Sequence, residues 1–146
     1  MKIQKDIDQI QNELQRAKRH WNRTSEQVVN YFEHWESLSK QTLNDLVQFN
    51  PRESKETLTG SILNKRFRIH FTPLLKNGSI YAETIIEVFF SSQEQTIESG
   101  RIWIDKDGRI FDTNMTPLIT DFDDMPGYSL LCNILLSTLQ TEAPQS

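Results

Sequence analysis

The sequence predicts an α+β domain: a long N-terminal helix or helix pair, a four-stranded antiparallel β-meander, and a C-terminal helix packed on the sheet. Three observations carry that reading. Apolar side chains recur at helical spacing, without a Pro or Gly, until Asn50-Pro51. Beyond the following loop the period shortens to two. The links between the period-two segments are short, whereas a parallel crossover needs a dozen residues or more.

The helical stripe comprises Ile3, Ile7, Ile10, Leu14, Ala17, Trp21, Thr24, Val28, Tyr31, Trp35, Leu38 and Thr42. Steps alternate between four and three residues, the spacing that keeps one seam facing a partner helix in a coiled coil. Thr24-Ser25-Glu26-Gln27 has the form of a capping box, so a second helix is expected to begin there. Beyond it the apolar face widens to include Val29, Phe32, Leu43, Leu46 and Val47, as suits packing on a sheet. Residues 1–23 are therefore expected to be a helical arm and oligomerisation segment, 24–140 the α+β domain, and 141–146 a loose tail. The helical region should end at Asn50-Pro51.

Phe67, Ile69 and Phe71 alternate with Arg66, Arg68 and His70, a half-buried strand expected to stop at Pro73. Lys76-Asn77-Gly78-Ser79 turns the chain into a strand whose faces are Ile80, Ala82, Thr84, Ile86, Val88, Phe90 and Tyr81, Glu83, Ile85, Glu87, Phe89. A third strand spans roughly Thr96 to Asp105. Asp105-Lys106-Asp107-Gly108 turns it into a fourth, Arg109 to Thr113, with Gly available for positive φ. Asp121, Asp123, Asp124 and Pro126 supply caps and an early Pro for a last helix bearing Tyr128, Leu131, Ile134, Leu135 and Leu139.

Length and composition agree with one soluble domain: 146 residues, 36% hydrophobic and 25% charged. No run approaches the ~18–20 apolar residues of a membrane span, and no apolar signal core follows the first lysines. The single cysteine, Cys132, sits among Leu130, Leu131, Ile134 and Leu135. It reads as core, and with no disulfide to form it favours a reducing, cytoplasmic setting. Net charge is uneven: 0 over residues 1–50, +4 over 51–76 and −8 over 77–146, matching the total of −4. An acidic C-terminal half opposes phosphate backbones, so nucleic acid is disfavoured as a partner.

Motifs that would carry chemistry fail on inspection. Asp105-Lys106-Asp107-Gly108 opens like a calcium loop, but Ile110 occupies the position that needs Gly and Thr116 the one that needs a bidentate Glu. His20, His34 and His70 lack zinc spacing. No catalytic residue, cofactor site or metal site is predicted. Two surfaces could still act. His70, Tyr81, Glu83, Glu87, Glu98, Arg101 and Trp103 could line a pocket on one sheet face, with cross-strand pairing of Arg66 and Arg68 against Glu83 and Glu87 as the simpler reading. The run from Arg16 to Arg23 is a basic cluster around Trp21, read as a solvated flank of the stripe.

The functional expectation is a non-enzymatic protein-interaction module, of adaptor, chaperone or inhibitor and immunity type, forming homo-oligomers through its N-terminal helix. Its interface residues are Ile3, Ile7, Ile10, Leu14, Trp21, Tyr31 and Trp35, aromatics being common interface anchors. An acidic patch of Asp105, Asp107, Asp112, Asp121, Asp123 and Asp124 points to a basic protein partner. The alternative is a small-ligand-binding or enzymatic domain with its pocket between sheet and helices. In element order the outline is similar to RWD-type kinetochore modules and, less closely, to the dimeric chaperones of type III secretion. No residue motif is shared with either.

Overall fold

A computed structural model describes residues 1–119 and 126–145. Its first element is α1, Ile7–Lys40, a single helix of 34 residues and so about 51 Å long. Asp6 caps its start by accepting a hydrogen bond from the Gln9 amide at 3.2 Å. The helix runs unbroken through the expected capping box. Thr24 is fully buried and its hydroxyl donates backwards to the His20 carbonyl at 2.7 Å, while the amides it would cap bond within the continuous helix. The stop comes about ten residues earlier than Asn50-Pro51. The poor helix formers Thr42, Asn44 and Asp45 fall in a turn where the Leu43 amide donates back to the Leu38 carbonyl.

Among the described residues the sheet has seven strands rather than the expected four: β1 Val47–Phe49, β2 Thr57–Ile62, β3 Lys65–Lys76, β4 Ser79–Phe90, β5 Gln95–Ile104, β6 Ile110–Phe111 and β7 Pro117–Ile119. They lie in sequence order and pair antiparallel throughout, as a meander requires. Three strands escape a periodicity reading. β1 and β7 have three residues each, too few to show a period. In β2 the buried face is Leu58, Gly60 and Ile62, and the glycine interrupts the apolar alternation.

β3 continues through Pro73, three residues beyond the expected stop. The Phe71 amide bonds the Glu56 carbonyl on the β2 side of the strand. Pro73, two residues on, faces that same side where β2 has already ended, so its missing N–H breaks no ladder. Asn77 and Gly78 both take positive φ, at 52° and 77°, in the tight turn into β4.

The final helix, α2, spans Pro126–Gln140. Both helices cover the same sheet face. Val28, Phe32, Trp35 and Leu38 of α1 and Leu130, Leu131, Ile134 and Leu135 of α2 join Leu58, Phe67, Ile69, Phe71, Ala82, Ile102 and Ile104 in one core. Leu139, also on that helix, is 41% exposed. Lys65 ties down the end of α2 by donating to the Leu139 and Thr141 carbonyls. Cys132 is a partly exposed free thiol.

Candidate functional site

The stripe expected to pair with another chain divides in two. Its later members are used within the fold: Trp21 packs on Phe71 with ring centroids 5.7 Å apart, and the Tyr31 hydroxyl donates to the Gly108 carbonyl at 2.7 Å. Trp35, fully buried, donates from Nε1 to the Gly127 carbonyl at 2.8 Å. These three aromatics hold α1 to the sheet and to α2. The earlier members remain outside. Ile3, Ile7 and Leu14 are 74%, 64% and 63% exposed, Ile10 is half-buried, and no residue before Thr24 is buried. Leu75, at the end of β3, is 53% exposed and shares with Ile10 and Leu14 a surface cleft of about 210 Å³. Ile3, expected on the stripe, precedes the Asp6 cap and lies off the helix; Ile7, Ile10 and Leu14 form the part of the stripe that the fold leaves largely uncovered.

The acidic residues occupy a different situation from the one their sequence suggests. Asp105 accepts from the Asp107 and Arg109 amides and pairs with the Arg109 guanidinium at 3.1 Å. Asp107 pairs with Arg109 at 3.3 Å and with Arg23 of α1 at 3.0 Å. Asp112 accepts from the Asn114 and Thr116 amides. Asp105 and Asp107, expected to form part of an acidic patch, therefore have basic neighbours: Arg109 within the hairpin and Arg23 from the helix across the fold. Asp121, Asp123 and Asp124 lie outside the described residues.

The second sheet face bears no helix among the described residues. Pairing across β3, β4 and β5 sets His70 beside Ile85 and Arg101, Arg68 beside Glu87, and Glu83 beside Trp103. All seven side chains expected to line a pocket there do share this face. The Glu87 carboxylate accepts from Arg68 at 2.8 Å and contacts the His70 Nε2 at 2.6 Å. Burial works against its charge, but these two bonds outweigh burial and hold its pKa below the ordinary value. Arg101 bridges Glu83 and Glu98. Beside this network lies an aromatic end in which Tyr81 packs on Trp103 and Phe111, with Lys76 over the Trp103 ring. The expected pairing of basic and acidic strands is observed for Arg68 with Glu87, whereas Glu83 pairs with Arg101 and Arg66 stacks on Phe89.

Where a pocket is expected between sheet and helices, a cleft of about 310 Å³ lies between the sheet and α2, lined by Ile86, Ile102, Leu118, Leu130, Ile134 and Ser137. Another shallow cleft, of about 340 Å³, lies across Thr59, Arg66, Arg68, Glu87 and Phe89. No group of three metal-ligating side chains converges among the described residues, and no described helix is long and apolar enough to cross a membrane. Comparison with known protein families, with curated proteins and with solved structures finds no match for this chain.

Proposed function

We propose that this chain is a non-enzymatic protein-interaction module, of adaptor, chaperone or inhibitor type, that self-associates through the N-terminal end of α1. The observation that carries the proposal is the exposure of Ile7 and Leu14 on α1, with Leu14 sharing a surface cleft with the exposed Leu75. Burying a large aliphatic side chain yields about 1.5–3 kcal/mol, and contiguous apolar strips of this kind mark interaction sites on soluble chains. A second copy of the strip is the simplest matching surface. Sedimentation equilibrium over micromolar concentrations tests it: the expected result is a concentration-dependent oligomer that Ile7→Glu with Leu14→Glu converts to monomer. A wild-type chain that stays monomeric at the highest concentration overturns the proposal.

A second reading follows from the cleft on the open sheet face, where cationic Arg66 and Arg68 stand beside Phe89. A small planar anion would suit that set, stacking on one side and pairing on the other. Chemical-shift changes confined to Arg68, Glu87 and Phe89 on titration with benzoate would favour it.

A further inference from the structure

A run of cations with few ion-pair partners among the described residues lies on α1 just beyond the apolar strip. Arg16, Arg19, His20 and Arg23 stand at spacings of three, four and seven residues, so they share one flank of the helix. Two turns of the sheet are bonded along that flank. Arg16 donates to the Gly78 carbonyl at 3.1 Å, Arg23 pairs with Asp107 at 3.0 Å, and the Gln27 side chain donates from Nε2 to the Lys106 carbonyl at 3.2 Å. The β5–β6 turn thereby adds Lys106 to the helical cations. Of these cations only Arg23 has an ion-pair partner among the described residues. His20 reports the resulting field. Its pKa lies below the ordinary value through burial first, then through the positive charges of Lys106, Arg16, Arg19 and Arg23. The acid that shares its cleft is Glu13.

We propose that this flank docks a short acidic peptide segment of a partner protein. The inference rests on reading the chain as a protein-binding module and names the partner's chemistry, but it does not require self-association. Size favours a peptide over nucleic acid. From Arg16 to Arg23 the flank runs about 10 Å, the span of about three extended residues. Glu13 bounds one end and Asp107 the other. A duplex would have to lay further phosphates over those acids and against a C-terminal half of net charge −8, whereas two or three carboxylates fit between them. Arginine forks also bind carboxylates in paired geometry.

The test uses the full chain and a fluorescein-labelled polyglutamate peptide, read by anisotropy. Binding should appear at about 20 mM salt and weaken at least tenfold by about 300 mM, as screening requires. Arg16→Glu with Arg19→Glu should weaken it at least tenfold more while leaving the circular dichroism spectrum and the sedimentation profile unchanged. Should that double variant misfold, Arg19→Gln, at an exposed position, should still lower affinity severalfold. The His20 titration followed by NMR should move to higher pH when the peptide saturates the flank. Ile7→Gln with Leu14→Gln, which removes the apolar side chains without adding charge, should leave peptide affinity intact, so loss of self-association and loss of peptide binding are separate results. No binding at low salt, or binding indifferent to both arginine variants, overturns the proposal. So does tighter binding of oligothymidylate or of phosphatidylserine vesicles through the same arginines, because the flank would then serve phosphate rather than an acidic peptide.

Discussion

Replacing Gly60 by alanine should destabilise this protein, although the same change in an ordinary strand does the opposite. Gly60 lies in β2, paired with Phe49 of β1 and Phe67 of β3. Adding a methyl normally gains about 0.5–1 kcal/mol by restricting the unfolded chain. Here the new Cβ would stand 2.6 Å from the Gln48 carbonyl oxygen, 3.0 Å from Phe49 Cδ1 and 3.2 Å from Phe67 Cζ. A carbon–oxygen contact becomes comfortable near about 3.3 Å, so the Gln48 peptide must retreat by roughly 0.7 Å. That oxygen belongs to backbone and cannot rotate away. Moving it drags β1, whose Val47 is 1% exposed, out of register with the core. Overpacking of this kind costs about 1–3 kcal/mol; with backbone as the obstacle the upper half of that range applies, about 2–3 kcal/mol, which leaves a net loss of about 1–2.5 kcal/mol. For a chain of this length the melting temperature should fall by about 2–10 °C. Urea and thermal unfolding followed by circular dichroism give the measurement. A Gly60→Ala protein as stable as the wild type, or more stable, would refute the close approach of β1 and with it the register of that edge.

Two further predictions probe the core and the open face. Trp35→Phe removes the indole donor to the Gly127 carbonyl and part of a fully buried ring, so it should cost about 1–3 kcal/mol in urea unfolding; a loss below a few tenths would mean that neither the bond nor the lost ring volume matters. Glu87→Gln should cost about 1–2 kcal/mol at neutral pH through its weakened bonds to Arg68 and His70. Because the folded pKa of Glu87 is depressed, its contribution is complete above the unfolded value near 4.5 and is lost as pH falls through the lower folded value. The variant's stability should therefore fall less steeply than the wild type's below that pH, and parallel curves would exclude Glu87 as a source of acid sensitivity.

Much of the architecture was legible because it follows from local repetition. The helical stripe through residue 38, the alternation from Phe67 to Phe71 and from Ile80 to Phe90, and the turns at Asn77-Gly78 and Asp105 to Gly108 each span enough residues for a period or a backbone requirement to show. Alternation likewise placed His70, Glu87, Arg101 and Trp103 on one face before any register was known, since side chains two apart point the same way. Where an element is short, that logic has nothing to count. Val47 to Phe49 continues a helical apolar pattern in sequence, yet it forms a strand because Gly60 and Ile62 offer it a ladder and a core face.

The stripe on α1 marks the same limit on the functional side. Sequence determined which residues lie on the stripe; only the tertiary structure decided which of them the chain spends on itself. Trp21, Tyr31 and Trp35 are taken up by Phe71, Gly108 and Gly127, and Ile3, Ile7 and Leu14 are left in solvent. Charge divides in the same way. The acid at Asp107 and the cation at Arg23 are fixed by composition, but their mutual neutralisation depends on a distance of 3.0 Å between residues 84 apart in the chain. Coulomb energy depends on distance in space, and separation along the chain says nothing about it until the chain has folded.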